Sequence, residues 1–296
     1  MTHIPVLLNE VIKFLNLKNN GIYVDATLGE GGHTLNILEN TDEKVKVIGI
    51  DRDKEVLNVA KERLKRFKDR VFIVNDNFKN IDKILKEMKI EKIDGVLFDL
   101  GVSSFQMDSK DRGFSFRYNS ILDMRMDKRQ SLKAEDLVNK LPYKELEEVI
   151  RLFGEERFSR KIAKNICLER KKKEIKTTFE LVEIINKSIP EKFKYKKIHP
   201  ATKTFQGLRI AVNDELNSLK ESLNKVVNFM NPGARLCIIS FHSLEDRIVK
   251  RFFNEKSKVK NQILKIITKK PIIPSDTEIF SNLRSRSAKL RVAERI

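Results

Sequence analysis

The chain has 296 residues, 40% of them hydrophobic, with 60 Lys and Arg against 42 Asp and Glu for a net charge of +18. That length holds one large domain or two modest ones, and the apolar share excludes a disordered chain. No run of apolar residues approaches the ~18 a bilayer crossing needs, and the opening "MTHIPVLLNEVIKFLN" lacks the marks of a secretory signal. Cys167 and Cys237 are isolated and form no disulfide framework, so the expected home is the reducing cytoplasm. His3, His33, His199 and His242 share no metal-ligand spacing with them, and no metal is expected.

Taken in chain order, the first strand-like run is "IYVDATLG" (22–29), followed by the helical pattern "HTLNILEN". The alternation continues through "VKVIGID", "DKEVLNVAKERLKRF", "VFIVND", "FKNIDKILKEMK" and "IDGVLFDLG". β-Branched runs bounded by turn residues and separated by helical patterns predict βαβ units, a parallel sheet with helices on both faces. Asp25, Asp51, Asp76 and Asp99 fall at or near the carboxyl ends of the four predicted strands. In an open α/β sheet that edge binds ligands.

From about residue 111 the strand-like runs vanish. "SLKAEDLVNKL", "YKELEEVIRLFG", "RFSRKIAKNICLERKKK" and "TTFELVEIINKSI" read as helices, and strand character returns at "GARLCIISFH", "QILKIITKK" and "AKLRVAER". "PSDTEIFSNLRSRS" (274–287) reads as an exposed loop. The predicted layout is one α/β domain of residues 1–110 plus 213–296, interrupted by a helical insertion of residues 111–212.

Charge follows that division. Residues 1–110 carry 18 basic and 18 acidic groups (18 − 18 = 0), residues 111–212 carry 25 and 15 (+10), and residues 213–296 carry 17 and 9 (+8). A neutral ligand-binding half beside a basic remainder suggests a polyanionic partner such as nucleic acid. The basic runs lack an aromatic face, which argues against a membrane surface. "RKKK" (170–173) and "KFKYKK" (192–197) are the candidate phosphate contacts.

The turn "GEGGHT" selects among nucleotide-like ligands. A phosphate-cradling P-loop needs Lys-Ser/Thr where His33-Thr34 stands, and Glu30 would repel a dinucleotide's phosphates. S-adenosylmethionine has no phosphate, and its sulfonium is a cation that nearby acids favour. Gly29, Gly31 and Gly32 allow close backbone approach and positive φ. Asp51, 19 residues after Gly32, can accept both ribose hydroxyls. Asp76 or Asn77 could face the adenine with Phe78 packed on it, although core packing is the preferred reading of Phe78 from these residues alone.

"TLGEGGHT", "DLGVSS", "GFSF", "LDMRMD", "FGEERFSRKIA", "HPATKTFQGLRI" and "ISFHSLEDRIVKRFF" closely resemble the bacterial 16S ribosomal RNA cytosine-N4 methyltransferase family, over nearly the whole chain. The resemblance implies a class I (Rossmann-like) methyltransferase sheet with an inserted helical substrate domain. It also implies S-adenosyl-L-methionine as cofactor and one cytidine of 16S rRNA, in the small ribosomal subunit, as substrate. By position it implies cofactor contacts at Gly31, Gly32, His33, Asp51, Phe78, Asp99 and Gln106. Two departures stand out: Phe105 follows the paired serines where proline is expected, and Ser120-Ile121 precede "LDMRMD" where Gly-Pro is expected. Both put loop conformation in question, not reaction class. A homodimer is one assembly the chain could take.

The residues agree with amine chemistry. Methylating carbon 5 of a pyrimidine needs a thiolate that adds to the ring, and neither cysteine lies in a strand-end loop. An exocyclic amine needs orientation and an acceptor for its N–H, and Asp99 in "FDLGVSS" is the candidate catalytic residue. His242 in "SFHSLED" reads as a general base or as a structural histidine, and Phe114, Phe116 and Tyr118 read as stacking groups for a base drawn from its stack or as core.

Overall fold

One sheet holds the first part of the chain together with its last part. Its strands are β1 (Ile22–Asp25), β2 (Lys46–Ile50), β3 (Val71–Val74), β4 (Ile93–Asp99), β5 (Met230–Ser240), β6 (Leu264–Ile266) and β7 (Lys289–Arg295), in the order β3-β2-β1-β4-β5-β7-β6. β1 to β5 are parallel, and β7 is antiparallel to both β5 and β6. The computed structural model describes residues 5–193, 199–258 and 262–296.

Side chains divide between two cores with the period of two that a strand imposes. Val24, Ile48, Ile50, Val96, Phe98, Leu236 and Ile238 face one core, and Tyr23, Val47, Leu97, Cys237 and Ile239 face the other. Helices α1 (Leu8–Leu15), α2 (Gly32–Glu39) and α3 (Lys54–Arg63) cover the second face with Val11, Leu15, Ile37, Leu38, Leu57 and Ala60. Helix α4 (Ile81–Glu87) covers the first with Ile81, Ile84 and Leu85.

The chain divides into two compact units, Met1–Ser103 with Leu216–Ile296, and Ser104–Glu215. The second contains α5 (Ser104–Asp108), α6 (Ala134–Lys140), α7 (Tyr143–Glu148), α8 (Ser159–Glu169), α9 (Thr178–Ser188) and α10 (Thr202–Asn213), with a π-helical turn at Val149–Phe153. These bounds differ from 110/111 and 212/213 for local reasons. Ser120 Oγ binds the Lys110 carbonyl, which ties the segment after α5 to the second unit. α10 runs on to Asn213, and Arg209 at its end pairs with Glu215 at 2.9 Å.

"LDMRMD" proves to be interior structure of that unit. Arg112 is almost fully buried and its Nη2 donates to the carbonyls of Arg125 and Met126 at 2.8 and 3.3 Å. Asn213 bridges the Met124 carbonyl and the Met126 N–H. The departure at Ser120-Ile121 is held without glycine or proline. Ser120 N donates to Thr178 Oγ1 at 3.0 Å, and Ile121 bridges to Thr177.

The first unit is completed by α11 (Glu215–Val226), α12 (Ser243–Lys256) and α13 (Asp276–Ser281). α11 and α12 join α4 on its face through Leu219, Leu223, Val249, Phe252 and Phe253. α13 corrects the expectation of a loop at 274–287: Ser275 Oγ accepts the Glu278 N–H at 3.2 Å, and Asp276 and Glu278 occupy the first turn. A serine cap with acids behind it is enough to start a helix on the surface. Among the described residues no helix is long and apolar enough to cross a membrane.

Cys237 lies inside β5, fully buried, and burial pushes its thiol well above the ordinary range. Iodoacetamide on the native protein should therefore modify Cys167 alone, with Cys237 reacting only after unfolding. Mass-spectrometric mapping that found Cys237 alkylated at native pH would contradict this packing.

Candidate active site

β1 leads outward to β2 and β3, and the chain then returns to β4 on the other side of β1. The loops after β1 and β4 therefore diverge, and the crevice at such a reversal is where open α/β sheets take ligands. Asp25 and Asp99 end β1 and β4, Asp51 directly follows β2, and Asp76 lies two residues past β3.

The loop after β1 is shaped by backbone need. Gly31 caps α2 at φ 78°, in the left-handed region, with its N–H on the Leu28 carbonyl at 2.8 Å. A Cβ on Gly32 would come within 2.5 Å of Pro5 Cγ, so only glycine lets the N-terminal segment pass there. Asp51 braces this turn: its Oδ2 accepts the Gly29 N–H at 2.9 Å and its Oδ1 accepts the Asp53 N–H at 2.9 Å. Each oxygen keeps a lone pair, and burial pushes the carboxyl up.

The two acids that made the glycine turn look unsuited to phosphate have structural partners. Asp25 is buried, accepting from Thr34 Oγ1 at 2.8 Å and Thr27 N at 3.3 Å, and Glu30 lies 3.5 Å from Arg63 Nη2. Burial raises Asp25 to about 6, against the opposing pull of His33 and the Thr34 bond.

What faces the edge with capacity to spare is His33 and Asp99. The His33 ring is buried at 6% exposure, with Nε2 3.5 Å from Asp99 Oδ2. Neither ring nitrogen has a hydrogen-bond partner, nor does Asp99 Oδ1. Thr27 Oγ1 accepts the Asp99 N–H at 2.6 Å and so ties the ends of β1 and β4 together. Orphaned polar atoms at a strand edge are costly unless a ligand completes them. They fit a ligand carrying hydroxyls, an ammonium and a positive sulfur.

Other candidates are placed differently. Asp76 and Asn77 form a turn, Asp76 Oδ1 accepting from Asn77 N and Asn80 Nδ2, and Asn77 Oδ1 from Lys79 N. Phe78 packs edge-on to Phe98 at 5.6 Å, as core, with 8% of its surface left exposed. Gln106 is buried in α5 of the second unit. His242 caps α12: its Nδ1 accepts the Glu245 N–H, and Glu245 Oε2 accepts the Phe241 and His242 N–H groups. That is a capping box, the structural reading of this histidine. In the second unit Phe114 is buried, and Phe116 is stacked on His199 at 4.6 Å and edge-on to Phe205, while Tyr118 is exposed.

Sequence reasoning passed over Thr27 and Thr34. Their position two residues beyond and nine beyond a strand-end acid is a faint signal, because threonine at such sites is equally a turn former.

A family model matches residues 1–296, that of the MraW methylase family. The chain belongs to the MraW methylase family. It is 50% identical over 309 aligned positions to the "Ribosomal RNA small subunit methyltransferase H" of Halothermothrix orenii, covering 100% of this chain and 99% of that one. It is 49% identical to the protein of the same name from Sulfurihydrogenibium sp., with 99% of each covered. Among solved structures it is similar to an rRNA methylase from Streptococcus thermophilus, 12% identical over 100% of this chain and 99% of that one at TM-score 0.47, too distant to carry argument. The sheet is that of a class I methyltransferase, and the methyl donor of this family's fold is S-adenosylmethionine.

Asp25 offers a direct check on the electrostatics. A carboxyl held near 6 in the folded chain and at about 3.8 when unfolded stabilises the fold below about pH 4 and loses that contribution as pH rises through 6. About two pKa units correspond to ~3 kcal/mol at most. Thermal melts of Asp25→Asn should therefore gain on wild type as pH rises from 5 to 7. A constant difference across that range would show an ordinary carboxyl.

Proposed function

We propose that this chain methylates the exocyclic N4 of one cytidine in small-subunit ribosomal RNA. The observation that carries the chemistry is the unpartnered Asp99 Oδ1 at the end of β4, beside the glycine turn. Support for the substrate comes from relatives about 50% identical over their whole length whose names state small-subunit rRNA methylation.

When bound, S-adenosylmethionine supplies an electrophilic methyl group. The turn that Gly31 and Gly32 make possible would border it with backbone, and Asp51 would accept the ribose hydroxyls with the lone pairs its bonds to Gly29 and Asp53 leave over. The exposed rim of Phe78 would meet the adenine. His33 and Asp99 would meet the polar groups nearest the reacting centre. The 1–103 and 216–296 unit would hold the cofactor and the helical 104–215 unit would recognise RNA.

The amine's lone pair is delocalised into the cytosine ring, so it attacks poorly unless an acceptor draws on an N–H. Asp99 Oδ1 has that acceptor capacity free, and it takes the proton the nitrogen must lose once the methyl is in place. The Thr27 hydroxyl fixes the Asp99 backbone, which keeps the carboxylate oriented for in-line transfer. No thiol is needed, in keeping with the burial of Cys237. Such a reaction belongs with ribosomes in the cytoplasm.

Small subunits from a bacterium lacking this gene, incubated with the protein and methyl-labelled S-adenosylmethionine, should yield labelled N4-methylcytidine on nuclease digestion and mass spectrometry. Label on carbon 5, on a protein amine or on nothing would overturn the proposal. Asp51→Ala should weaken cofactor binding by about ten- to a hundredfold, roughly 1.5–3 kcal/mol for bonds to a charged group, read by calorimetry. Asp99→Asn should lower kcat far more than cofactor affinity, and parallel losses in both would make Asp99 a binding residue only.

A further inference from the structure

The second unit contains a cleft of about 210 Å³ between the start of α8 and the start of α10, lined among others by Glu156, Arg157, Phe158, Phe193, His199 and Lys203. It is smaller than the ~300–1,000 Å³ clefts that enclose whole organic ligands, and it suits a compact charged group.

Its two cations form no ion pair among the described residues, and with the Glu156 carboxylate the lining keeps a net charge of +1 (2 − 1 = 1). The Arg157 guanidinium lies 3.6 Å from the Phe193 ring centre and 4.4 Å from that of Phe158, set against two rings that themselves pack together at 5.3 Å. Among the described residues no carboxylate pairs with it, and Lys203 Nζ reaches only the Glu155 carbonyl, at 2.8 Å. The buried Glu156 carboxylate is turned to the Phe158 N–H at 2.8 Å. His199, stacked on Phe116, accepts the Ala201 N–H on Nδ1 at 3.1 Å, which leaves Nε2 as the donor when the ring is neutral.

The backbone is built to hold these groups on one rim. α7 runs into the π-helical turn, Gly154 follows it, and Glu155 sits at φ 48°, a left-handed conformation uncommon for glutamate. A Cβ on Gly154 would meet the Lys203 carbonyl at 2.4 Å, and one on Gly207 the Gly154 nitrogen at 3.0 Å. Only glycine at these positions lets the turn carrying Arg157 lie directly against the helix carrying Lys203. By contrast, much of the basic run 170–173 is spent within its own unit. Arg170 closes the carbonyls of Val138 and Leu141, Lys172 pairs with Glu169 and Lys173 with Glu180. Of the run 192–197, residues 194–197 lie outside the described residues.

We infer that this cleft anchors one phosphodiester of the RNA substrate, Arg157 and Lys203 supplying charge and His199 an N–H. The inference rests on the proposed function, since it takes RNA as the substrate. A contact to phosphate positions the strand without reading its sequence. The planar guanidinium, already ordered by its two rings, loses little freedom when it closes on the phosphate oxygens.

Binding of the full-length protein to a labelled single-stranded oligoribonucleotide, measured between 50 and 200 mM salt, tests it. Wild type should weaken with salt, and Arg157→Ala with Lys203→Ala together should reduce the slope of log affinity against log salt by about 0.7 per lost contact for a single strand. Arg157→Lys should keep the slope while losing affinity. KM for unmethylated small subunits should rise several-fold in the double variant, with kcat and the calorimetric affinity for S-adenosylmethionine within twofold of wild type. An unchanged slope in a double variant that melts like wild type would overturn the anchor and leave the methyltransferase reading intact. Equal displacement of the RNA by polyglutamate of matched charge would assign the cleft to an acidic protein segment and overturn it as well. Wild-type protein that neither binds RNA nor methylates subunits would sink the functional reading together with the anchor.

Discussion

Tyr23, Val24 and Asp25 pair in parallel with Gly95, Val96 and Leu97, partners 72 positions away in the chain (95 − 23 = 72). The pairing is close because Gly95 carries no side chain, and a Cβ there would stand 2.9 Å from the Tyr23 ring. From this ladder the strands to either side take their places, since β1 feeds β2 and β3 outward while β4 pairs β5. The same ladder brings two loops to one point and leaves a gap between them. The Thr27 hydroxyl then spans the loop ends through the Asp99 N–H. A shift of one residue in this register would turn Asp25 and Asp99 to other faces and dissolve the edge.

Charge in this protein is mostly committed before any ligand arrives. Asp25 is braced by Thr27 and Thr34, Glu30 is beside Arg63, and Asp51 spends a lone pair from each oxygen on the backbone. The acids of the glycine turn thus shape the loop more than they face a cation. The groups left open at this edge include Asp99 Oδ1 and both ring nitrogens of His33. Basic charge behaves alike: Lys172 and Lys173 hold carboxylates, whereas Arg157 lies against two aromatic rings and forms no ion pair among the described residues. Such pairing leaves the net charge of +18 unchanged and decides only which cations carry it. Ion pairs on a surface contribute little to stability, yet they decide which cations remain free.

Much of the first unit was legible because its signals are local. β-Branched runs such as "VKVIGID" and "IDGVLFDLG" announce strands by composition, and the alternation with helical patterns implies parallel order. The strand-end acids were legible because a turn residue follows each run. The helix at 276–281 escaped because serine, asparagine and arginine in "PSDTEIFSNLRSRS" are as common in loops as at helix ends, and they masked the Ser275-x-x-Glu278 spacing that marks a helix start. Arg170 looked like a phosphate contact because its neighbours in sequence are lysines, while its true partners are carbonyls 32 and 29 residues away.

By itself the sequence determined the alternation of elements, the ligand edge, the glycine turn and the kind of chemistry its cysteines disallow, since each rests on propensity or on spacing along the chain. Only the tertiary structure decided which acids stay available. It made Asp25 a buried brace and left Asp99 an open acceptor, although both end strands of the same sheet. It likewise made His242 a helix cap and placed Arg157 with Lys203 on one cleft. The reason is common to all of these: a side chain's partners are set by strand register and helix packing across tens of residues, which local sequence does not encode.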